Sequence, residues 1–321
     1  MLQEVDPPPR IPDPCEFDDP VQLSVVVSWV EDVMSKCWGE IENVKPLFYD
    51  YGMGYTQVAI CVSKEQENIY VIFRGTDVME FPDILSNIDI VWDNYGPPKS
   101  SILDNDDDQQ QAAARGPKVD VPGKVQRGWN RKIFNPKLHL PLSEKLLQIK
   151  EQYPTYKVIV AGHSLGAALS ILYGVYVAKY VLPQDLVEVI NLGSPRVGDE
   201  TFYHAIQEIS NLNIWRMVYQ DDVVARLPPM WLGYRHVGHL LHWDKHDEIK
   251  AYHQQLETCM DSECYAGIPV DELNVLFGKI GDHEHKHYKC VVKQARADPD
   301  KYWPKGFELL RKRDDKNTDV A

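Results

Sequence analysis

The feature that most constrains this chain is a serine pentapeptide at 162–166, GHSLG, set between two contrasting patterns. A β-branched run at 157–161 enters it, and an Ala/Leu-rich stretch leaves it. A serine hydroxyl is a weak nucleophile, so a fold that uses one holds it exposed on a sharp strand-to-helix turn. At Gly162 and Gly166 a Cβ atom would collide with the neighbouring strand or helix. The pattern predicts a nucleophile elbow with Ser164 at its tip.

Two strand patterns follow the elbow, and each runs into a polar loop. The first is LVEVINL at 186–192, and the second, at 214–219, leads to Asp221 and Asp222. The α/β-hydrolase chain order is serine, acid, histidine, and a carboxylate at a strand end is well placed to orient an imidazole. Adjacent acids after a strand can also simply cap a turn. With the serine motif upstream, one of these two aspartates is expected to be the triad acid.

Acyl transfer also needs N–H donors for the oxygen that becomes negative in the tetrahedral intermediate. The backbone N–H of Leu165, the residue after the serine, is the first expected donor. The second should come from the loop after an early strand, and residues 69–73 (IYVIF) followed by Arg74, Gly75 and Thr76 fit that description. The position of this loop upstream of the elbow favours an oxyanion role over an ordinary turn.

Four motifs resemble, in order, those of the class 3 lipase family, the fungal-type triacylglycerol lipases: FRGTD at 73–77, GHSLG at 162–166, NLGSPRVGD at 191–199 and DDVVARLPP at 221–229. The resemblance extends from about residue 21 to residue 290. It implies an α/β-hydrolase fold, with a central mostly parallel sheet flanked by helices and a lid-like helix after the oxyanion loop. It also implies Asp222 as the acid, with Asp221 as the alternative, and Thr76 as an oxyanion donor.

In that family the catalytic histidine lies near the C-terminus in a D-H-x-x-Y setting, and this chain offers GDHEHKHYKC at 281–290. Alignment on Tyr288 selects His285. Alignment on Asp282 and His283 selects His283 and requires two extra residues before the tyrosine. We favour His285. Three alternating imidazoles could also converge on zinc from one side of a strand. Because the triad needs a histidine here in any case, we expect no metal and no cofactor.

Residues 77–92 (DVMEFPDILSNIDIVW) are too apolar for an ordinary solvated loop. Pro82 suits the first turn of a helix. The apolar residues that follow recur at spacings of three and four and form one stripe: Ile84, Leu85, Ile88 and Val91. The family places its lid helix here. We therefore favour a lid-like role, although a fixed core helix would show the same spacing.

A chain of 321 residues with 44% hydrophobic residues can form one large α/β domain. We assign residues 1–18 to an acidic, Pro-rich N-terminal arm, 19–295 to the hydrolase domain and 296–321 to a charged tail. Within the domain, residues 94–123 are polar, acidic and punctuated by Pro and Gly, which predicts a mobile insertion. Residues 141–153 are then predicted to form an amphipathic helix.

The net charge of −14 argues against nucleic acid as a partner and against electrostatic capture by anionic membranes. No apolar run is long enough for a transmembrane segment, so any membrane contact should be apolar. The opening residues lack the pattern of a secretory signal. A cytoplasmic location is favoured if the chain is complete, and secretion if a leader has been removed. Neither the six cysteines nor any other feature fixes the compartment or the oligomeric state.

These features predict a serine carboxylic-ester hydrolase that works through an acyl-enzyme, and the resemblance implies a lipase that cleaves acylglycerols, at a lipid–water interface. Ser164, Asp222 and His285 are the predicted catalytic residues, and Thr76 and Leu165 the predicted oxyanion donors. Fold alone does not choose the ester. The same scaffold serves phospholipases, galactolipases and aromatic-ester (feruloyl-type) esterases. A lipase-like protein that binds lipid or a partner without catalysis is the alternative from another class.

Overall fold

One sheet of eight strands organises the described part of the chain. The computed structural model describes residues 45–50, 58–64, 67–75, 90–97, 119–244, 249–252, 279–284, 287–288 and 290. The strand order is β1-β2-β3-β6-β7-β8-β9-β10, and β4 and β5 form a separate two-stranded sheet. The strands are β1 Lys45–Asp50, β2 Val58–Ser63, β3 Asn68–Phe73, β4 Trp92–Asn94, β5 Lys124–Gln126, β6 Lys157–His163, β7 Val187–Leu192, β8 Leu212–Tyr219, β9 His239–Trp243 and β10 Ile249–Tyr252.

Helices connect the strands and lie against the sheet. The α-helices are α1 Arg127–Ile133, α2 Pro136–Gln152, α3 Leu165–Tyr176 and α4 Glu200–Gln207. A π-helical turn, Val177–Val181, continues α3, and short 3₁₀ turns span Val224–Arg226, Met230–Leu232 and Gly281–His283.

The middle of the sheet is parallel, as the sequence predicts. Strands β3, β6, β7, β8 and β9 pair in parallel, whereas β1 and β2 on one side and β10 on the other pair antiparallel. Every residue of β2 and β3 is buried, and in β6 only the first residue is exposed. A sheet covered on both faces requires such continuous apolar strands, which explains their β-branched composition.

Helix α3 is buried on all sides, which explains its Ala, Leu and Gly content. All residues from Gly166 to Tyr176 are buried. A Cβ atom at Gly174 would lie 2.3 Å from Cγ2 of Val189 on β7, so the helix needs glycine there to approach the sheet. A helix that is apolar all round belongs in a core. The segment that leaves the elbow is therefore held rigidly against β6 and β7.

Both ends of the predicted insertion at 94–123 belong to the core. Tyr95 and Val121 are buried, and the Tyr95 hydroxyl donates to the Leu172 carbonyl oxygen at 2.7 Å. Strand β4 pairs with β5 and draws the two ends together. The prediction was too wide because an isolated Tyr or Val in a polar stretch gives no local sign of a distant partner. Residues 98–118 lie outside the described residues.

Helix α2 begins five residues earlier than the predicted start at residue 141. Asn135 caps it by accepting the Lys137 N–H at 3.0 Å, and Pro136 follows at the first helical position. This is a favourable helix start, because proline has no N–H to leave unsatisfied. Pro141 lies inside the helix with its ring exposed. Within the described residues, no helix has both the length and the apolar composition needed to cross a membrane.

Candidate active site

Ser164 lies on a sharp turn between β6 and α3, as predicted. Its backbone has φ 58° and ψ −125°, a conformation that costs a non-glycine residue about 1–3 kcal/mol. A Cβ atom at Gly162 would lie 2.3 Å from the carbonyl carbon of Gly166, and one at Gly166 would lie 2.2 Å from the Phe73 carbonyl oxygen. The two flanking glycines therefore let strand, turn and helix approach this closely, and the predicted strand-to-helix turn at Ser164 is present.

The loop after β3 lies directly against the elbow. A Cβ atom at Gly75 would lie 2.6 Å from the His163 carbonyl oxygen and 3.4 Å from Cβ of Ser164. The loop predicted to supply an oxyanion donor thus begins beside the serine. Leu165 opens α3, so its N–H is at the positive end of the helix dipole. Thr76, the other predicted donor, lies outside the described residues.

Ser164 is only 2% exposed, whereas the sequence analysis expected an exposed serine. Its N–H donates to the Leu192 carbonyl oxygen at 3.0 Å, which draws the turn against the end of β7, while Gly75 closes the other side. The exposure of Ser164 depends on segments that are distant in the sequence, so the local motif does not predict it.

Asp222 follows β8 and is completely buried, with donors on both carboxylate oxygens. Oδ1 accepts the Val224 N–H at 2.8 Å. Nδ1 of His283 lies 2.8 Å from Oδ2, and the Tyr288 hydroxyl also donates to Oδ2. The carboxylate of Asp222 is fixed in place by these donors. It can hold an imidazole in one tautomer and one orientation.

Asp221, the alternative acid, has a different environment. Its carboxylate pairs with Arg226 at 2.9 Å and with Lys279 at 3.1 Å. Burial alone would raise the pKa of Asp221. The hydrogen bond from Lys279 and the charges of Arg226 and Lys279 outweigh burial and lower the pKa below its usual value. Asp221 is thus part of a structural ion pair, and Asp222 is the aspartate that contacts a histidine.

His283 reaches Asp222 because its segment joins the loop after β8. The N–H of Lys279 donates to the Asp221 carbonyl oxygen at 2.7 Å, and Lys279 forms a parallel bridge with Asp222. A short 3₁₀ turn, Gly281–His283, follows, and Asp282 accepts the Asp221 N–H at 3.1 Å. The structure thus brings His283 to the acid. His285, the histidine that the sequence analysis favoured, lies outside the described residues.

The pentapeptide also brings a second histidine to the site. The His163 ring stacks on the His283 ring, with 4.5 Å between the centroids and 22° between the planes. Nε2 of His163 lies 3.0 Å from the His283 carbonyl oxygen. His163 is the last residue of β6 and the neighbour of Ser164. The predicted nucleophile and the histidine bound to Asp222 are therefore linked through a single side chain.

Two residues outside the predicted site, Gly193 and Tyr288, shape the acid–histidine pair. Gly193 has φ +56°, and a Cβ atom there would lie 2.6 Å from Oδ2 of Asp222 and 2.9 Å from Nδ1 of His283. In the sequence, Gly193 could have been noticed as a glycine directly after a predicted strand. Tyr288 served only as an alignment point, yet its hydroxyl both donates to Asp222 and accepts the Tyr219 N–H at 3.1 Å.

Most of the predicted lid helix at 77–92 lies outside the described residues, which resume at residue 90. Val91 has no helical structure, and Trp92 begins β4. The helix predicted from the apolar stripe therefore cannot include its last member. The reason is the antiparallel pairing of Trp92 with Gln126, which fixes an extended backbone that spacing alone does not reveal.

Two of the three alternating histidines have separate contacts. His283 binds Asp222, whereas His287 stacks on Tyr219 with centroids 5.0 Å apart. Within the described ranges, no group of three or more His, Cys, Asp and Glu side chains could hold a metal ion. The chemistry available at the described site is that of a hydroxyl, an imidazole and a carboxylate.

Comparison with known proteins agrees with this geometry. The family model for "Lipase (class 3)" matches residues 70–231, half of the chain. The chain belongs to the class 3 lipase family. The region matched to the class 3 lipases contains the elbow and the loop of Asp222, and it ends before the segment of His283. The assignment of a histidine to this class 3 lipase site therefore depends on the contacts described above.

Several curated lipases are similar to this chain over part of their length. A lipase of Rhizopus niveus is 29% identical over 181 residues, which are 55% of this chain and 38% of that protein. The secreted mono- and diacylglycerol lipase 1 of Fusarium solani is 40% identical over 89 residues, 28% of this chain and 26% of that protein. The matched part of the chain thus spans less than half of the length of either relative.

Solved lipase structures share the fold. Lipase II from Rhizopus niveus superposes with a TM-score of 0.58 at 23% identity, covering 79% of this chain and 86% of that one. The triacylglyceride lipase of Rhizomucor miehei gives 0.56 at 22% identity, covering 76% and 84%. The predicted α/β-hydrolase fold is therefore confirmed.

Proposed function

We propose that this chain is a serine hydrolase that cleaves carboxylic esters, and acylglycerols in particular, through an acyl-enzyme. The observation that carries the proposal is the buried Asp222–His283 pair, whose imidazole stacks on the neighbour of Ser164. A buried carboxylate, an oriented imidazole and a hydroxyl on an elbow are the groups that activate a serine. Family membership agrees with this chemistry.

In the proposed mechanism His283, in place of His285, is the general base. Its Nδ1–H donates to Asp222, so the lone pair that can accept a proton is on Nε2. As Ser164 Oγ attacks the ester carbonyl carbon, its proton passes to Nε2. The imidazolium then protonates the leaving alcohol as the tetrahedral intermediate collapses. A water molecule, deprotonated by the same nitrogen, hydrolyses the acyl-serine and regenerates the hydroxyl. Asp222 stays ionised throughout.

The proposed oxyanion donors are the N–H of Leu165 and the amide and hydroxyl of Thr76. Support comes from the position of Leu165 at the start of α3 and from the contact of Gly75 with the elbow. The N-terminus of a buried 12-residue helix favours negative charge. Removal of one donor of this kind costs about 3 kcal/mol in transition-state stabilisation.

We further propose that the substrate is met at a lipid–water interface. The apolar stripe beginning at Ile84 would favour transfer of the segment after the oxyanion loop from water to lipid, and the low exposure of Ser164 is consistent with a site that opens at such a surface. Two exposed apolar side chains, Trp231 and Ile280, lie on the segments that follow Asp222 and precede His283. With a net charge of −14, contact with lipid would be apolar.

The names of the relatives favour acylglycerols over other esters as the substrate class. One is called a mono- and diacylglycerol lipase, and another a triacylglyceride lipase. A rice protein named phospholipase A1-II 4 is also 32% identical over 102 residues. A panel that contains mono-, di- and triacylglycerols, a phosphatidylcholine, a galactolipid and a feruloyl ester separates these possibilities.

The direct test combines turnover with active-site labelling. We expect the chain to hydrolyse p-nitrophenyl esters, to react with a fluorophosphonate probe at Ser164 alone, and to lose both properties in Ser164→Ala. The mutation deletes one hydroxyl, so the unfolding temperature should stay close to that of the wild type. Residual catalysis without the triad is typically about 10³–10⁴-fold above water. Unchanged turnover in Ser164→Ala, or labelling at a different serine, would contradict the proposal.

A further inference from the structure

The contact between His163 and His283 contains a hydrogen bond with only one possible polarity. The His283 carbonyl oxygen can only accept, so Nε2–H of His163 is the donor across the 3.0 Å separation. This bond requires a proton on Nε2 of His163 and ties the backbone of His283 to the last residue of β6. Both rings are buried, so water competes weakly for the bond.

We propose that His163 is a positioning residue that sets the distance between His283 and Ser164. Asp222 and Tyr288 hold the imidazole relative to the loop after β8. Neither contact fixes the imidazole relative to β6, the strand that carries the nucleophile. His163 supplies that link, because it is covalently joined to Ser164 and hydrogen-bonded to His283. The inference rests on the proposed function and adds a residue to it.

The strand that carries His163 is rigid enough for this role. β6 lies in the middle of the sheet and pairs in parallel with β3 and β7 along its length. The segment of His283, in contrast, has no strand partner among the described residues and joins the loop after β8 through the Lys279–Asp222 bridge and the side-chain hydrogen bonds of Asp282 and Tyr288. A hydrogen bond from the rigid element to the less constrained one limits the movement of the histidine. A misplacement of 1 Å in such a site can cost about 10²-fold in rate.

Ring stacking adds a second contribution. With 22° between the planes, the His163 ring covers one face of the His283 ring and opposes its rotation. The Tyr288 ring meets His163 edge-on at 5.5 Å and supports it from another side.

Three substitutions separate the hydrogen bond from the ring. His163→Gln keeps an N–H donor near the position of Nε2, His163→Phe keeps the aromatic face, and His163→Ala removes both. Turnover of a soluble short-chain p-nitrophenyl ester should fall about 10²-fold in His163→Ala, through kcat and with KM nearly unchanged. Turnover of His163→Gln should be at least about tenfold higher than that of His163→Ala, and the gain in His163→Phe should be smaller.

The matched control is His139, a buried histidine on α2 whose Nδ1 contacts the Asn135 carbonyl oxygen at 3.0 Å. His139→Ala should lower the unfolding temperature and leave kcat intact. Assays are made below the unfolding temperature of each variant, and if His163→Ala does not fold, the Gln and Phe variants carry the test.

Wild-type kcat in His163→Ala or His163→Phe, a loss confined to KM, or an equal loss of kcat in His139→Ala would overturn the positioning role. A wild-type protein without esterase activity, or an active Ser164→Ala variant, would instead contradict the proposed function.

Discussion

The Tyr288 hydroxyl and Nδ1 of His283 donate to the same carboxylate oxygen, Oδ2 of Asp222. The other oxygen of Asp222 accepts the Val224 N–H. The carboxylate therefore cannot rotate without the loss of a donor inside a buried site. A carboxylate fixed in this way is oriented before substrate arrives, so little reorganisation is needed when charge develops on the imidazole.

We expect His283→Ala to abolish ester hydrolysis, because it removes the imidazole that binds Asp222. His285→Ala should retain most of the wild-type kcat. Turnover of p-nitrophenyl butyrate and the rate of fluorophosphonate labelling measure both effects. An inactive His285→Ala variant together with an active His283→Ala variant would restore the assignment that the sequence favoured.

The sequence located this region and offered two histidines, of which the structure places His283 against Asp222. Both parts of the D-H-x-x-Y setting are at the site, since Asp282 and His283 contact the loop after β8 and Tyr288 contacts Asp222. The extra residues lie between them. One sequence contains no information on which side of the histidine an insertion falls, so the alignment on Tyr288 favoured the neighbouring histidine. The contact with Asp222, 61 positions away in sequence, supplies that information.

Asp222→Asn should lower kcat by about 10⁴-fold, because an amide favours the wrong imidazole tautomer. Asp221→Asn, the matched control at the adjacent position, should stay within about tenfold of the wild type, since its carboxylate contacts Arg226 and Lys279 and no histidine. Steady-state kinetics with a soluble ester measure both. Equal losses in the two variants would indicate that the whole loop, and not one carboxylate, controls activity.

The effect of Asp221→Asn should appear in stability. Ion pairing lowers the pKa of Asp221, so this group stabilises the fold at pH values above its unfolded pKa of about 3.9, and that stability is lost as the pH falls through the lower folded pKa. At pH 7 we expect a loss of about 1 kcal/mol, since water screens part of the pair. Denaturant titrations of wild type and variant should converge below pH 4. A penalty that grows on acidification would contradict the ion-pair role.

Gly193→Ala should reduce kcat strongly, by about 10²-fold or more, because a Cβ atom would push into the Asp222–His283 pair from a backbone with positive φ. The control is Gly281→Ala, where a Cβ atom meets nothing within 4 Å. It should behave as the wild type. Kinetics and thermal unfolding of the two variants separate damage to the site from damage to the fold. Normal turnover in Gly193→Ala would show that the pair tolerates displacement.

We also predict that activity depends on a lipid–water interface. We expect activity on a long-chain ester to rise sharply once the substrate aggregates. Ile84→Asp with Ile88→Asp should blunt this rise more than it affects a soluble ester, because the apolar stripe would lose its preference for lipid. Leu147→Asp, at an exposed leucine of α2, is the control and should leave the rise intact. A smooth hyperbolic dependence that the double variant shares would indicate a fixed core helix.

Local patterns were the reliable part of the sequence analysis. The elbow depends on neighbouring residues, and the buried strands are continuous apolar runs, so both could be read directly. The start of α2 is also set by neighbouring residues, Asn135 and Pro136, which the predicted start at residue 141 did not take into account. The burial of Ser164, the core positions of Tyr95 and Val121 and the choice of histidine depend on contacts between distant segments, which one sequence does not specify.

His283 lies late in the sequence and joins the loop of Asp222 beside a β-bridge, which has a consequence for folding during synthesis. Chains emerge from the ribosome N-terminus first, so β3, β6 and β7 can assemble around the serine before residue 283 has been made. A nascent chain would then carry a finished elbow and no base. Under the proposed function, hydrolytic competence would come last, once the segment of residue 283 has joined the loop of Asp222, and an unfinished chain would be inactive towards esters.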